Sequence, residues 1–270
     1  MLTLVVALRL LVAPASSQGH HVEAALIPEA ESIEPGESFM LGLDLKMEEG
    51  WHTYWKNPGD SGMATTIKWK LPEGFKAGAL QWPAPSRIAG KSQASYGYRG
   101  ETLLLARLQA PADLRPASSV KIAARVEWLE CRDICIPGKA ELSLTLPARA
   151  AKPKLRATFE PKFADSRRRL PRPLKDFPGW SARAERSAQV VRLTMEAASV
   201  PDKLAFFPDE DALIDNAAPQ GLSVAGGKAT LEMARSLAPK ESQPARLSGV
   251  LALGDGRALE LSLPFNKEVP

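Results

Sequence analysis

The sequence is poor in several residue types that carry chemistry. Its 270 residues include only two cysteines, three histidines and three tyrosines, and aromatic residues make up 6%. After residue 12, no stretch approaches the ~18 consecutive apolar residues of a membrane-spanning helix. The formal net charge of +4 is small, and basic and acidic residues are mixed, so we do not expect nucleic-acid binding.

Most of the sequence shows patterns that are typical of β-strands. Runs such as residues 39–47, 120–128 and 142–146 alternate apolar with polar or small residues, which is typical of a half-buried strand. Turn residues separate such runs about every 8–12 residues, a spacing found in β-sandwiches. We therefore predict an all-β chain with a first sandwich domain over residues 16–149 and a second over residues 179–270.

Two segments fall outside these domains. Residues 1–12 are mostly apolar and precede Ala13, Pro14 and Ala15, which predicts a secretory signal peptide over residues 1–15. Arg9 interrupts the run, so a frayed N-terminal strand stays open as the alternative. Residues 150–178 are rich in Lys, Arg and Pro and predict a basic surface connector with a short helix over residues 158–170.

Cys131 and Cys135 are placed where two predicted antiparallel strands meet, and three residues separate them. A hairpin end can bring two cysteines within disulfide distance. Three interpretations stay open: a labile redox pair, a structural staple that closes a very short loop in a non-catalytic binding or assembly module, and a soft-metal site such as that of a copper-binding module. The third would need further ligands from His20, His21 and His52, without a second pair at metal spacing.

Residues near the pair in sequence could modulate it. Only the thiolate form of cysteine reacts, so the positive charge of Arg132 would lower a thiol pKa, unless Arg132 is an ordinary solvated loop residue. Asp133 and Glu130 would oppose that effect or act in proton transfer. Tyr96, Gly97 and Tyr98 predict an irregular, exposed loop that covers the disulfide, with ordinary loop-anchoring tyrosines as the alternative.

The aromatic block that begins at residue 51 has a simpler interpretation. Trp51, Trp55 and Trp69 are expected in the core or between the sheets. His52 is expected to make a local hydrogen bond rather than to bind a metal.

Several motifs together carry a family resemblance. Residues 126–144 read Val-Glu-Trp-Leu-Glu-Cys-Arg-Asp-Ile-Cys-Ile-Pro-Gly-Lys-Ala-Glu-Leu-Ser-Leu, and residues 51–62 read Trp-His-Thr-Tyr-Trp-Lys-Asn-Pro-Gly-Asp-Ser-Gly. With Tyr-Gly-Tyr at 96–98, Phe-Phe-Pro at 206–208 and Ile-Asp-Asn-Ala-Ala-Pro-Gln at 214–220, they resemble the N-terminal periplasmic region of the DsbD/ScsB thiol:disulfide interchange proteins. They favour the ScsB-like branch, which is linked to copper tolerance.

The resemblance implies two immunoglobulin-like sandwiches in the periplasm and a thiol:disulfide oxidoreductase without a cofactor or metal. Cys131 and Cys135 would be the redox pair, and residues 96–98 the shielding loop. Electrons would come from a membrane-embedded donor and pass to thioredoxin-like or disulfide-isomerase clients. The Cys-x3-Cys spacing is tighter than in better-known members, which leaves open which cysteine attacks first. Members usually continue into a membrane domain and a thioredoxin domain, so we expect a piece of such a system or a soluble relative.

Overall fold

The structure, a computed structural model, describes residues 21–90, 92–237 and 244–266. The predicted signal peptide at residues 1–15 and the possible ligand His20 lie outside the described residues. Strands account for most of the described chain, so the all-β prediction is confirmed. Within the described ranges, no helix is both long and apolar enough to span a membrane.

The first ten strands form a unit called the N-terminal sandwich below. They are β1 (Val22–Pro28), β2 (Ser38–Met47), β3 (His52–Gly59), β4 (Thr66–Lys70), β5 (Lys76–Gln81), β6 (Ser86–Ala89), β7 (Ala94–Arg99), β8 (Glu101–Gln109), β9 (Ser119–Cys131) and β10 (Cys135–Pro147). One sheet has the order β1-β2-β8-β5, and the other has the order β10-β9-β3-β7-β6, with β4 added beside β9. Both sheets contribute to one apolar core.

The predicted hairpin around the cysteines is confirmed. Strands β9 and β10 pair in antiparallel register from Ser119 opposite Pro147 to Cys131 opposite Cys135. Along β9, Val120, Ile122, Ala124, Val126 and Trp128 are all buried, as their spacing predicts for one face of a strand. The core of the sandwich therefore fixes the hairpin up to the disulfide.

The predicted helix lies in the connector as α1 (Glu160–Arg169). It is not simply a surface link, because Phe163 is fully buried against Ile27, Leu103 and Leu105 on the β1-β2-β8-β5 sheet. Lys162 also contacts the buried Asp44 at 2.6 Å. Part of the positive charge that predicts an exposed connector thus fastens the helix to the sandwich.

The remaining strands form a unit called the C-terminal sheet below. They are β11 (Pro171–Pro173), β12 (Ser181–Arg186), β13 (Val190–Glu196), β14 (Leu204–Pro208), β15 (Gly221–Ala225), β16 (Lys228–Ala234), β17 (Arg246–Leu253) and β18 (Ala258–Asn266), with a 3-10 helix at Leu174–Asp176. Their order is β14-β17-β18-β12-β13-β16-β15, with β11 beside β18.

The C-terminal sheet folds over its own core. Strands β12 and β18, at its middle, share two residue pairs within the described part of the chain. Apolar residues from the strands on both sides of this junction, including Leu193 and Leu251, belong to a single buried cluster. The two groups of strands thus pack as the predicted second sandwich and are joined where β12 meets β18. The domain boundaries given above stay a prediction.

The N-terminal sandwich and the C-terminal sheet also share buried residues. Phe207 and Val250 of the C-terminal sheet belong to the core cluster of the sandwich. The Phe207 ring packs edge-on against Tyr96, with 5.1 Å between ring centroids, and lies 6.4 Å from Trp55. The two units therefore meet through an apolar junction close to the strands that carry the cysteines.

Candidate functional site

Cys131 and Cys135 form a disulfide at the end of the β9–β10 hairpin, with their Cα atoms 4.2 Å apart. Between them, the amide of Arg132 donates a hydrogen bond to the carbonyl oxygen of Ile134 at 3.1 Å. The two cysteines differ in exposure, since Cys131 is 2% exposed and Cys135 is exposed to solvent. An incoming thiolate would therefore reach the pair from the Cys135 side.

Strand β3 places two side chains beside the disulfide. His52 is the register partner of Cys131, and the hydroxyl of Tyr54 lies 3.7 Å from Cys135 Sγ. The sulfur of a disulfide carries no proton, so the Tyr54 hydroxyl is the donor in this contact. Burial raises the pKa of Tyr54, against a hydrogen bond with Ser95 that lowers it, and the hydroxyl stays protonated at neutral pH.

From the sequence alone, we expect only a local hydrogen bond for His52 and assign no role to Tyr54. Their spacing of two in β3 is the signal that could have placed them on one face of the strand, opposite the face of Trp51 and Trp55. The structure buries all four residues. Trp51 and Trp55 belong to the sandwich core, as expected, with Trp69 packed against it.

The hydrogen bond predicted for His52 is not formed by its Nδ1, which is buried and has no hydrogen-bond partner among the described residues. The ring instead packs edge-on against Tyr54, at 5.2 Å between centroids. Burial, together with the positive charge of Arg99, lowers the pKa of His52 to about 4, so the ring is neutral at pH 7.

Residues 60–65, called the covering segment below, close the outer side of Tyr54. Gly62 has a φ of +120°, and a Cβ atom at this position would lie 2.1 Å from Cε1 of Tyr54. Ala64 forms a bridge with Tyr54. Only glycine allows the backbone to approach the ring this closely. The covering segment is thus packed on the tyrosine that contacts the disulfide.

The prediction of an irregular, exposed loop over residues 96–98 is wrong. These residues lie inside β7, where Tyr96 is 0% exposed and Tyr98 is 4% exposed. Gly97 is not a loop residue, because a Cβ there would lie 2.0 Å from the carbonyl oxygen of Thr53 in the neighbouring strand. Both hydroxyls are engaged elsewhere: Tyr98 donates to the carbonyl of Pro83 and Tyr96 to Asn216, each at 2.7 Å. The shielding role of residues 96–98 stays a prediction without a contact to support it.

Arg132 and Asp133 lie at the exposed tip of the hairpin. Arg132 Nε is 3.1 Å from an Asp133 carboxylate oxygen, and the guanidinium lies 5.4 Å from the ring centroid of Trp51. The two opposite charges partly cancel, and an exposed pair of this kind contributes little to stability. Their modulating effect on the cysteines stays a prediction.

A buried carboxylate adjoins Cys131 in sequence. Glu130 is 0% exposed and accepts hydrogen bonds from Trp128 Nε1 at 3.0 Å and from the backbone amide of His21 at 3.1 Å. Because Glu130 joins β9 to the residue before β1, it fixes the strand end that carries Cys131. In the part of the chain that the structure describes, no group of three or more His, Cys, Asp or Glu residues could hold a metal ion.

Comparisons with known proteins agree with this geometry. The family model of the N-terminal region of the thiol:disulfide interchange protein DsbD matches residues 23–147. No curated protein sequence matches the chain. The crystal structure of the N-terminal periplasmic domain of ScsB from Proteus mirabilis superposes with a TM-score of 0.67 at 17% identity, over 94% of this chain and 100% of that one. The major pilin subunit BcpA*(D312A) of Bacillus cereus gives a TM-score of only 0.26 at 8% identity, over 94% of this chain and 67% of that one, and carries no argument.

The likeness to the ScsB domain extends beyond the cysteine-bearing unit, since it includes the C-terminal sheet as well. At this level of identity it establishes the fold, and it confirms the immunoglobulin-like arrangement that the resemblance implies. The family match lies within the N-terminal sandwich and includes both cysteines. Residues 23–147 therefore match the family of N-terminal domains of DsbD-type thiol:disulfide interchange proteins.

Proposed function

We propose that this protein is a periplasmic thiol–disulfide exchange module of the protein-disulfide reductase type. It takes reducing equivalents from a membrane-embedded donor and passes them to thioredoxin-like or disulfide-isomerase proteins through Cys131 and Cys135. The observation that carries the proposal is the asymmetric disulfide: Cys135 is exposed at the hairpin end, and its partner Cys131 is 2% exposed. Exchange proteins need one sulfur within reach of a partner and a second, protected sulfur that resolves the mixed disulfide.

A structural role for the disulfide is the weaker explanation. The bridge closes a loop with a sequence separation of only 4, which constrains the unfolded chain little. The hairpin is already held by backbone pairing as far as the cysteines and by the buried face of β9. The bridge therefore adds little to a strand pair that the core already fixes.

Reduction of the pair begins when a donor thiolate attacks Cys135 Sγ. The Cys131–Cys135 bond breaks, Cys131 leaves as a thiolate, and a mixed disulfide joins the donor to Cys135. A second donor thiolate then attacks the donor sulfur of that mixed disulfide and releases Cys135. Two electrons have then moved to this protein, which takes up two protons, and the donor is oxidised to a disulfide.

In the transfer to a client, this protein is the electron donor and the client disulfide is reduced. The Cys135 thiolate attacks the client disulfide, and one client sulfur leaves as a thiolate. Cys131 then attacks Cys135 Sγ, which restores the Cys131–Cys135 bond and releases the client in its dithiol form. Throughout, the Tyr54 hydroxyl is placed to donate a hydrogen bond to Cys135 Sγ, and a thiolate accepts such a bond more strongly than a disulfide sulfur does.

Single-cysteine variants test these roles. With Cys131→Ser, the exposed Cys135 should form a mixed disulfide with a thioredoxin-like protein or an activated small disulfide. With Cys135→Ser, the buried Cys131 should form it about tenfold more slowly or more, because only the exposed thiolate is accessible. The adducts can be counted by mass spectrometry under non-reducing conditions.

Two outcomes would count against the proposal. Equal trapping through both cysteines would remove the division between an attacking and a resolving cysteine. Failure of both variants to form any mixed disulfide, with the fold retained by circular dichroism, would favour a structural bridge instead.

A further inference from the structure

The covering segment is anchored at its first residue by a side chain of the C-terminal sheet. Asn216 Nδ2 donates a hydrogen bond to Asp60 Oδ1 at 2.9 Å. The other carboxylate oxygen of Asp60 accepts from the amide of Ala94 at 2.7 Å, and the amide of Asp60 donates to the carbonyl of Ala94 at 3.0 Å. Asp60 is thus fastened to β7 and to the C-terminal sheet at the same time.

The segment that presents Asn216 is itself held firmly. Ile214 is 3% exposed within the C-terminal core. The amide of Asp215 donates to the carbonyl of Ala234 at 2.9 Å, and an Asp215 carboxylate oxygen accepts from the amides of the second and third residues after it. Asn216 therefore projects from a fixed turn.

Two side chains of the N-terminal sandwich donate hydrogen bonds to this turn. The Tyr96 hydroxyl donates to Asn216 Oδ1 at 2.7 Å, so both ends of the Asn216 amide are used. Arg87 Nε donates to the backbone carbonyl of Asn216 at 3.0 Å. The Arg87 contact needs no Asn216 side chain, so a substitution at Asn216 leaves part of the junction in place.

A continuous set of contacts then joins Asn216 to the disulfide. Asn216 holds Asp60, which begins the covering segment. Gly62 and Ala64 of that segment pack on Tyr54. The Tyr54 hydroxyl is 3.7 Å from Cys135 Sγ.

We propose that the C-terminal sheet limits the approach of a thiolate to Cys135 Sγ, the atom that the Tyr54 hydroxyl contacts although the residue itself is exposed. Asn216 is the positioning residue that keeps the covering segment closed over Tyr54. Release of Asn216 frees Asp60 and lets the covering segment and Tyr54 move away from Cys135. This gives the C-terminal sheet, which contains no cysteine, a role in the exchange chemistry. The inference deepens the proposed function, but a small thiol suffices to test it.

The first test is the second-order rate of reduction of the oxidised protein by dithiothreitol, followed by alkylation and thiol counting. Asn216→Ala should raise this rate about fivefold, the effect on an opening equilibrium of losing one or two net hydrogen bonds. The reduction potential should not change, because easier access speeds reduction and reoxidation alike. A higher rate with a shifted potential would contradict the proposal, since it would mean that the disulfide itself had been destabilised.

Asp209→Asn is the matched control. Asp209 lies on the C-terminal sheet and pairs across the same junction with Lys56 at 2.7 Å, without contacting Asp60. Its substitution should leave the reduction rate at the wild-type value. An equal acceleration in Asp209→Asn and Asn216→Ala would overturn the proposal, because any loosening of the junction would then suffice. An unchanged rate in folded Asn216→Ala would overturn it as well.

A second variant tests the same contact from the other side. Asp60→Ala removes the acceptor for Asn216, and it should speed reduction at least as much as Asn216→Ala does. The double variant should be no faster than Asp60→Ala alone, because both substitutions break the Asn216–Asp60 hydrogen bond. Independent, multiplicative effects would show that Asn216 does not act through Asp60. Should Asn216→Ala fail to fold, Asp60→Ala alone still decides, since a wild-type rate for it would exclude the mechanism.

Discussion

At the scale of single residues, the Tyr54 hydroxyl lies 3.7 Å from the sulfur of the exposed Cys135. We expect Tyr54→Phe to raise the pKa of the Cys135 thiol in the reduced protein by about one unit, because a hydrogen bond to a charged group is lost. The rate of alkylation by iodoacetamide as a function of pH reports this pKa. Tyr98→Phe is the control, since the Tyr98 hydroxyl bonds to the Pro83 carbonyl instead. Equal pKa values of the Cys135 thiol in Tyr54→Phe and wild type would show that Tyr54 does not stabilise the thiolate.

His52 should make the protein sensitive to acid. Its pKa of about 4 in the folded state lies below the ordinary value of 6.5, so the unfolded chain binds a proton more readily. The contribution of His52 to stability is therefore complete above pH 6.5 and is lost as the pH falls through 4, by about 3 kcal/mol in all.

Urea unfolding of wild type and His52→Phe at pH 7 and pH 4.5 measures this effect. Phenylalanine keeps a ring against Tyr54 and cannot titrate. The variant should therefore lose less stability than wild type over this interval, while other titrating groups contribute equally to both. Parallel losses in the two proteins would mean that His52 is not the acid-sensitive group.

At the scale of residues, one part of the site could be predicted from the sequence and another could not, for a physical reason. The Cys131–Cys135 pair was predictable, because only two cysteines exist and both lie at one hairpin end. The position of Tyr54 at the sulfur was not, because it depends on the pairing of β3 with β7 and β9 and on a glycine eight residues further along. Local spacing predicts which face a side chain shares, but not what covers that face.

At the scale of elements, the end of the hairpin depends on a glycine opposite a tryptophan. Gly138 in β10 pairs with Trp128 in β9, and a Cβ atom at Gly138 would lie 2.3 Å from Trp128 Nε1. The indole cannot easily move, because it is fully buried and bonded to Glu130 at 3.0 Å.

Gly138→Ala should therefore lower the free energy of unfolding by about 2 kcal/mol, the cost of overpacking a fixed core. Gly221→Ala in β15 is the control, since its nearest neighbour would be 3.9 Å away. Denaturant titration of both variants separates the steric effect from the general effect of replacing glycine in a strand. Similar stabilities of the two variants would contradict the close contact at Trp128.

Strands could be predicted from the sequence where one face is buried in the core and the other is exposed to solvent. This holds for β9 and for the hairpin of β17 and β18, whose strands pair across residues 254–256. It fails for β7, where residues 94–98 are all buried and no polar alternation marks the strand. There, Gly97 resembles a turn residue in sequence, although the neighbouring strand requires it for close packing.

At the scale of the whole molecule, the junction makes the two units depend on each other. Phe207 is 3% exposed and packs on Tyr96 and Trp55 across the junction. Phe207→Ala should destabilise the protein by about 3 kcal/mol and split a single unfolding transition into two.

Tryptophan fluorescence and circular dichroism together detect the split, because every tryptophan except Trp180 precedes the connector. Phe265→Ala, at the partly buried edge of the C-terminal core, is the control and should keep one transition. A single transition in both variants would mean that Phe207 does not couple the units. The sequence could not reveal this coupling, because Phe207 resembles any other apolar residue of a strand.

The most direct test of the central claim is the reduction potential of the Cys131–Cys135 pair. The protein is equilibrated in glutathione buffers of known ratio, and the free thiols are counted after alkylation. An exchange module should give a value between about −120 and −270 mV, the range of proteins that pass electrons between disulfides. A value below about −300 mV would identify a structural bridge and contradict the proposed function.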